Sequence, residues 1–284
     1  MAADARRRIR TVLAGAAALA LGGIALGSSA HEARAQASPP QRVTLRIRPP
    51  VGDTLRMAMQ QQFDIEPEDS TGTPQGVMTG ALLIWTRAVV LGRKGMATEL
   101  VSITDSVVVE PPAAAALKPL REAKAALEGR RVHMRVAEDG ELSVARRGGG
   151  DLGLAADMPS VLPRNAVRVG ESWTRELRVP LSTTHNESAR VHTTFRLDSL
   201  DATGGIAYVS LRGDVSHDHA DDHDGMTGTT TGTLTGTLSV DRRLAWITDS
   251  RMTVSLVSTA APAGRAPRRM RARVTQVIHA LPPS

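Results

Sequence analysis

Hydrophobic and polar residues alternate along most of the chain. From Leu55 the odd positions read Leu55, Met57, Met59, Gln61, Phe63 and Ile65, and the even ones Arg56, Ala58, Gln60, Gln62, Asp64 and Glu66. A period of two over this length predicts a strand with one buried face. Val77 to Val90 and Met96 to Val109 continue as a pair joined by "LGRKG", whose glycines suit a tight turn. Apolar residues fall on both faces of the first partner, which places it inside its sheet.

One stretch breaks the period. In "VEPPAAAALKPLREAKAALEG" the residues Leu117, Leu120, Ala123 or Lys124, and Leu127 fall at helical spacing. Pro119 is suited to a first helical position and Gly129 to a C-terminal cap, so a helix is expected from about Pro119. Next, "RRVHMRVAEDGELSVARR" reads as two strands around Asp139-Gly140, a strong hairpin signal.

From Arg164 the pattern begins again, and "VGESWTREL" echoes "VGDTLRMAM". The echo suggests two pseudo-repeated halves, about 42–160 and 161–281, within one β-rich domain, 42–281. Strands are expected at 190–197, 206–215, 227–240, 244–248, 251–259 and 270–280. On the strand from Thr227, one face is almost all threonine; the other carries Gly228, Thr230, Gly232, Leu234, Gly236 and Leu238. Threonine favours strands and a wet face. Glycines opposite it leave room for a closely approaching segment or a ligand, and a bent strand packed on the helix is the plainer expectation.

The first residues change the setting. Four arginines precede an uncharged, mostly apolar run from Thr11 to Gly27, followed by small residues. That is the pattern of a secretory signal peptide, 1–35, with a short linker, 36–41. The run is too short and too rich in Ala and Gly for a membrane span. There is no cysteine, hence no disulfide and no lipid-bearing thiol. A soluble protein, secreted or periplasmic, is expected, with no stable membrane insertion after cleavage.

The formal charge of +6 falls to +3 once the leader's five basic and two acidic residues are removed from 35 and 29. No basic stripe marks a nucleic-acid footprint. The tail "GRAPRRMRAR" is the most basic patch, read as a solvated loop before a last strand.

The segments "VGDTLRMAM", "LREAKAALEGRRVHMRVAEDGELSV", "LPRNAVRVGESW" and "GTLSVDRRLAWITDSRMTVSL" resemble a family of uncharacterised secreted bacterial proteins with a domain of unknown function. That family is similar in layout to periplasmic lipoprotein and lipid carriers. The resemblance implies a mainly β (α+β) fold: a curved antiparallel sheet, or half-barrel, with one helix closing its concave side. It also departs from the carriers, whose cavities are lined with aromatics. This chain has six: Phe63, Trp85, Trp173, Phe195, Tyr208 and Trp246.

Candidate chemistry concentrates in "SHDHADDHDG", Ser216 to Gly225. His217 and His219 alternate as strand residues would, and His223 lies four further on. Imidazoles beside carboxylates suit zinc or nickel. By position the tract is also a hairpin loop, where histidine and aspartate sit in water at no cost. No nucleophile elbow, zinc-protease helix, phosphate loop or dinucleotide fingerprint occurs, so no enzyme and no cofactor is expected.

The leading expectation is therefore a non-enzymatic binding protein. Its concave apolar face, with Leu55, Met57, Met59, Leu234 and Leu238, would take a lipid-like or hydrophobic small molecule. Two other readings compete: a cell-envelope interaction module without a small ligand, docking an envelope protein through the threonine strand as an edge, and divalent-metal binding through His217, His219 and His223.

Overall fold

The computed structural model describes residues 42–69, 71–111, 118–144, 160–180, 188–219, 226–262 and 267–282; the expected leader and linker lie outside them. Among the described residues, eleven strands build one antiparallel sheet, accompanied by a single helix. They are β1 (Thr54–Pro67), β2 (Met78–Lys94), β3 (Ala97–Glu110), β4 (Arg131–Ala137), β5 (Leu142–Val144), β6 (Ser172–Pro180), β7 (Ser188–Leu200), β8 (Ile206–His219), β9 (Met226–Asp241), β10 (Trp246–Pro262) and β11 (Arg268–Leu281), with one helix, α1 (Lys118–Leu127). The spatial order is β5-β4-β3-β2-β1-β11-β10-β9-β8-β7-β6. The chain meanders outward from β1 to β5, restarts at the far end with β6, and meanders back until β11 meets β1. Among the described residues no ladder joins β5 to β6, so the sheet is open.

The two starts are built alike. Gly52 donates to the Val90 carbonyl at 2.9 Å while Val90 donates to that of Asp53; Gly170 donates to Leu197 at 2.7 Å while Leu197 donates to Glu171. Both glycines need positive φ, 92° and 86°, which explains the Val-Gly-acid echo in the sequence.

Alternation places one residue set on each face, and the registers join the inner sets into rows across the sheet. One row runs Leu197, Val209, Leu238, Ser250, Ile278, Met59; the next runs Phe195, Leu211, Gly236, Met252, Gln276, Gln61. On β9 the inner glycines admit a close approach of β10. A Cβ at Gly232 would fall within contact distance of the Ser255 carbonyl oxygen and 2.7 Å from Leu256 Cδ2. The backbone of β10 therefore occupies the space that a side chain would need. The strands expected at 244–248 and 251–259 are one strand, β10, in which the register shift between Ile247 and Asp249 absorbs Thr248 as an extra residue.

Two apolar clusters fill the inner face. The larger draws on β2 to β4, on β6 to β10, and on the extended segment Val43, Leu45, Ile47, whose side chains are at most 3% exposed. That segment bridges to Val167, to the Glu138 carbonyl and, through Arg48, to the Ala245 carbonyl. The smaller holds Phe63, Ile65, Leu82, Ile84, Val107 and Val274 beneath Leu120 of α1. Gly80 makes room there, since a Cβ would collide with the Phe63 ring and approach Leu120. The helix thus packs over the smaller cluster beside β3, where Lys124 Nζ donates to the Val107 carbonyl at 2.7 Å. Extended segments, rather than the helix expected against the strand from Thr227, pack on the larger cluster.

Candidate functional site

The five residues expected to line the concave face separate into two groups. Leu234 and Leu238 are 0% and 1% exposed and belong to the larger cluster. Leu55 is half-buried against that cluster and Met59 half-buried against the smaller one. Met57, also half-buried, stands between them, opposite Thr86 on β2 and Ala280 on β11. The inner face thus has a seam, and β1 supplies its rim.

The floor of the seam is polar. Gln61 lies directly opposite Gln276, and Gln276 opposite Met252; one step along, Met59 faces Ile278 and Ile278 faces Ser250. Gln61, Gln276 and Ser250 are 5%, 1% and 1% exposed. The Gln276 amide nitrogen touches Met59 Sδ. Its carbonyl oxygen, Oε1, and the Ser250 hydroxyl are buried without a hydrogen-bond partner among the described residues. Buried polar atoms are nearly always paired, because leaving one unpaired costs about 1–3 kcal/mol. No ionisable side chain occupies these rows on β1, β11 or β10.

Sequence pattern did not single out this trio. The signal was present all the same: Gln61 interrupts the apolar series of β1, and Gln276 sits at core-face parity within "RVTQVIHA". A polar residue in phase with a buried face either finds a partner or marks a site.

The histidine tract divides. The loop expected from Ser216 is still strand, because β8 continues to pair with β9, His217 opposite Thr230 and His219 opposite Gly228. His217 is half-buried beside Thr230, whose hydroxyl pairs with Ser258 at 2.8 Å. His223 lies outside the described residues. Among the described residues, no group of three His, Cys, Asp or Glu side chains could hold a metal ion.

The threonine strand is not a docking edge. β9 is paired on both sides, with β8 and with β10, and its threonine face, including Thr229, Thr231, Thr233 and Thr235, points outward from within the sheet. From Arg268 the basic tail is strand rather than loop: Arg271 and Arg273 stand opposite Glu66 and Asp64 on β1. Arg271 Nε lies 2.8 Å from the buried Glu68 carboxylate. A shallow outer groove of about 400 Å³ runs past Asp64, Glu66, Thr233, Ser255, Arg271 and Arg273. Its charges already oppose one another across the ladder.

Fold and seam together define an open antiparallel sheet with a two-part core on one face. Residues 155–247, from before β6 into β10, match a family of unknown function (DUF6263). Among solved structures the chain is similar to an outer membrane channel from Pseudomonas putida F1, with 10% identity over 82% of this chain and 96% of that one and a TM-score of 0.21. It is also similar to Pseudomonas aeruginosa OpdQ, with 8% identity, 82% and 99% coverage and a TM-score of 0.22. A third is the outer membrane protein opdK from Pseudomonas aeruginosa, with 10% identity, 75% and 64% coverage and a TM-score of 0.17. No curated protein matches.

Proposed function

We propose that the protein is an exported, non-enzymatic binding protein that takes a lipid-like ligand in the seam between its two apolar clusters. The observation that carries this reading is the pair of buried atoms without a hydrogen-bond partner among the described residues, Gln276 Oε1 and Ser250 Oγ, on a face where Met57, Met59 and Ile278 are only half-buried. Unbranched thioether side chains repack around ligands of varied shape. Apolar walls with a few convergent polar atoms are the usual composition of a small-molecule site. Met57, Met59 and Ile278, the half-buried side chains at the rim, are flexible or aliphatic, which suits a flexible chain. The leader at 1–35 would carry the protein to the periplasm or beyond, where such ligands must be shielded from water.

Fluorescence titration of the purified protein with N-phenyl-1-naphthylamine tests the reading, together with native mass spectrometry of protein isolated without detergent. Saturable enhancement, weakened at least tenfold by Met57→Lys, is the expected result. Absence of saturable enhancement in the unaltered protein would overturn it.

A further inference from the structure

We infer that the seam selects a neutral, hydroxyl-bearing aliphatic amphiphile, with the hydroxyl bound between Gln276 and Ser250. This rests on the proposed binding role and specifies its ligand. Three observations lead to it. First, the two unpaired atoms are neighbours: Gln276 stands opposite Met252 on β10, and Ser250 is two residues from Met252 on the same face. Such diagonal positions lie about 7–8 Å apart, with longer side chains closing the gap. One small group can therefore touch both.

Second, the atoms are complementary to one chemical group. Gln276 Oε1 accepts only, so it requires a donor; the Ser250 hydroxyl can donate as well as accept. A ligand O–H donates to Oε1 while its oxygen accepts from Ser250. An ether or ester oxygen would satisfy Ser250 and leave Oε1 unpaired.

Third, the surroundings exclude charge. The rows around the pair offer Met59, Ile278, Met252 and Leu238, with no cation to compensate a carboxylate or phosphate. An ion transferred to that position would be desolvated without a partner, a far larger cost than a neutral hydroxyl meets. The aliphatic tail would leave past Met57 and Met59, the half-open rim.

Displacement of bound N-phenyl-1-naphthylamine by dodecan-1-ol, dodecyl methyl ether and dodecanoate tests the inference on the purified protein. The alcohol is expected to displace the probe about tenfold more tightly than the ether, the size of effect one buried unpaired acceptor produces. Dodecanoate should be weaker than the alcohol. In Gln276→Met the alcohol and ether should become equal while the probe still binds. In Ser250→Ala both should weaken together, keeping their ratio. Equal displacement by alcohol and ether in the unaltered protein overturns the hydroxyl assignment and leaves the binding role standing. Failure of the probe to bind overturns both. Should Gln276→Met not fold, as judged by circular dichroism, the ratio in the unaltered protein and the shift in Ser250→Ala still decide.

Discussion

The main-chain carbonyl of Asp139, in the turn between β4 and β5, accepts the amide of Leu162 at 2.8 Å and that of Val161 at 3.1 Å. Leu162 precedes β6, the strand at the opposite end of the sheet. Arg175 of β6 donates in turn to the Leu162 carbonyl at 2.8 Å, and Trp173 Nε1 to that of Val161 at 3.1 Å. Arg164 adds an ion pair to the Asp139 carboxylate at 3.3 Å. The two ends of an open sheet are thereby tied by a strap rather than by a ladder.

Leu162 anchors that strap, with 0% of its surface exposed. Leu162→Ala should cost about 2–5 kcal/mol of stability, the range for deleting a buried leucine side chain. Urea unfolding measures it as a lower midpoint. A loss under about 1 kcal/mol would mean that the strap closes over an already stable sheet.

Gly232 tests the close approach of β10 to β9. Alanine there would put its methyl group against the Ser255 carbonyl and Leu256, and the sheet would have to open locally; a cost of about 1–3 kcal/mol is expected. Gly92 on β2 is the control, since nothing lies within 4 Å of its Cβ position. Thermal unfolding of Gly92→Ala should match the unaltered protein closely, while Gly232→Ala melts early.

Two turn carboxylates give stability a defined acid limb. Asp69 accepts the Thr71 hydroxyl at 2.6 Å and the Thr73 amide at 2.9 Å; Asp201 accepts the Ile206 amide at 2.8 Å and the Thr203 hydroxyl at 2.7 Å. The Thr71 hydroxyl, then the Thr73 and Thr71 amides, hold Asp69 below its ordinary value of 3.8. For Asp201 the Ile206 amide leads, followed by the Thr203 hydroxyl. Carboxyls lowered on folding stabilise fully above the unfolded value and lose that contribution as pH falls through the folded one. The difference in melting temperature between the unaltered protein and Asp201→Ala should be constant from pH 5 to 8 and shrink below about pH 3.8. A difference that grows on acidification would contradict the assignment.

Most of this architecture was legible because period-two alternation is a direct imprint of a sheet with one buried face. β1, β3 and β11 begin and end within about two residues of where the pattern places them, whereas β2 and β8 start where expected and run on to Lys94 and His219, past the expected ends at Val90 and Val215. The helix was legible from the spacing of Leu117, Leu120 and Leu127, from Pro119 at its start and from Gly129 as its cap, which does take positive φ. What pattern could not supply was long-range pairing. Val43, Leu45 and Ile47 alternate with Thr44, Arg46 and Arg48 as clearly as any strand, yet they join no ladder; only the fold lays them across the larger cluster. Gln61 and Gln276 lie far apart in the chain, and their juxtaposition depends on the final strand returning to pair with the first. The histidine tract failed for a related reason, because pairing with β9 extends β8 through residues whose composition suits a loop.

Leu234 and Met57 share a face and an apolar character, but the structure gives them different work. Leu234 is wholly buried in the larger cluster, opposite Val254 and Gly213, whereas Met57 is half-buried at the seam's rim. Leu234→Ala should therefore cost about 2–5 kcal/mol in urea unfolding and leave the dissociation constant of N-phenyl-1-naphthylamine within about twofold. Met57→Lys should do the reverse. A charged group at the half-exposed rim can reach water along its aliphatic stem, so stability should change by less than about 1 kcal/mol. The same ammonium group at the mouth should weaken probe binding at least tenfold, since the ligand must then displace its water. If instead both substitutions weakened the probe in proportion to their effects on stability, the probe would be reporting on partial unfolding of the core, and the seam would lose its standing as a site.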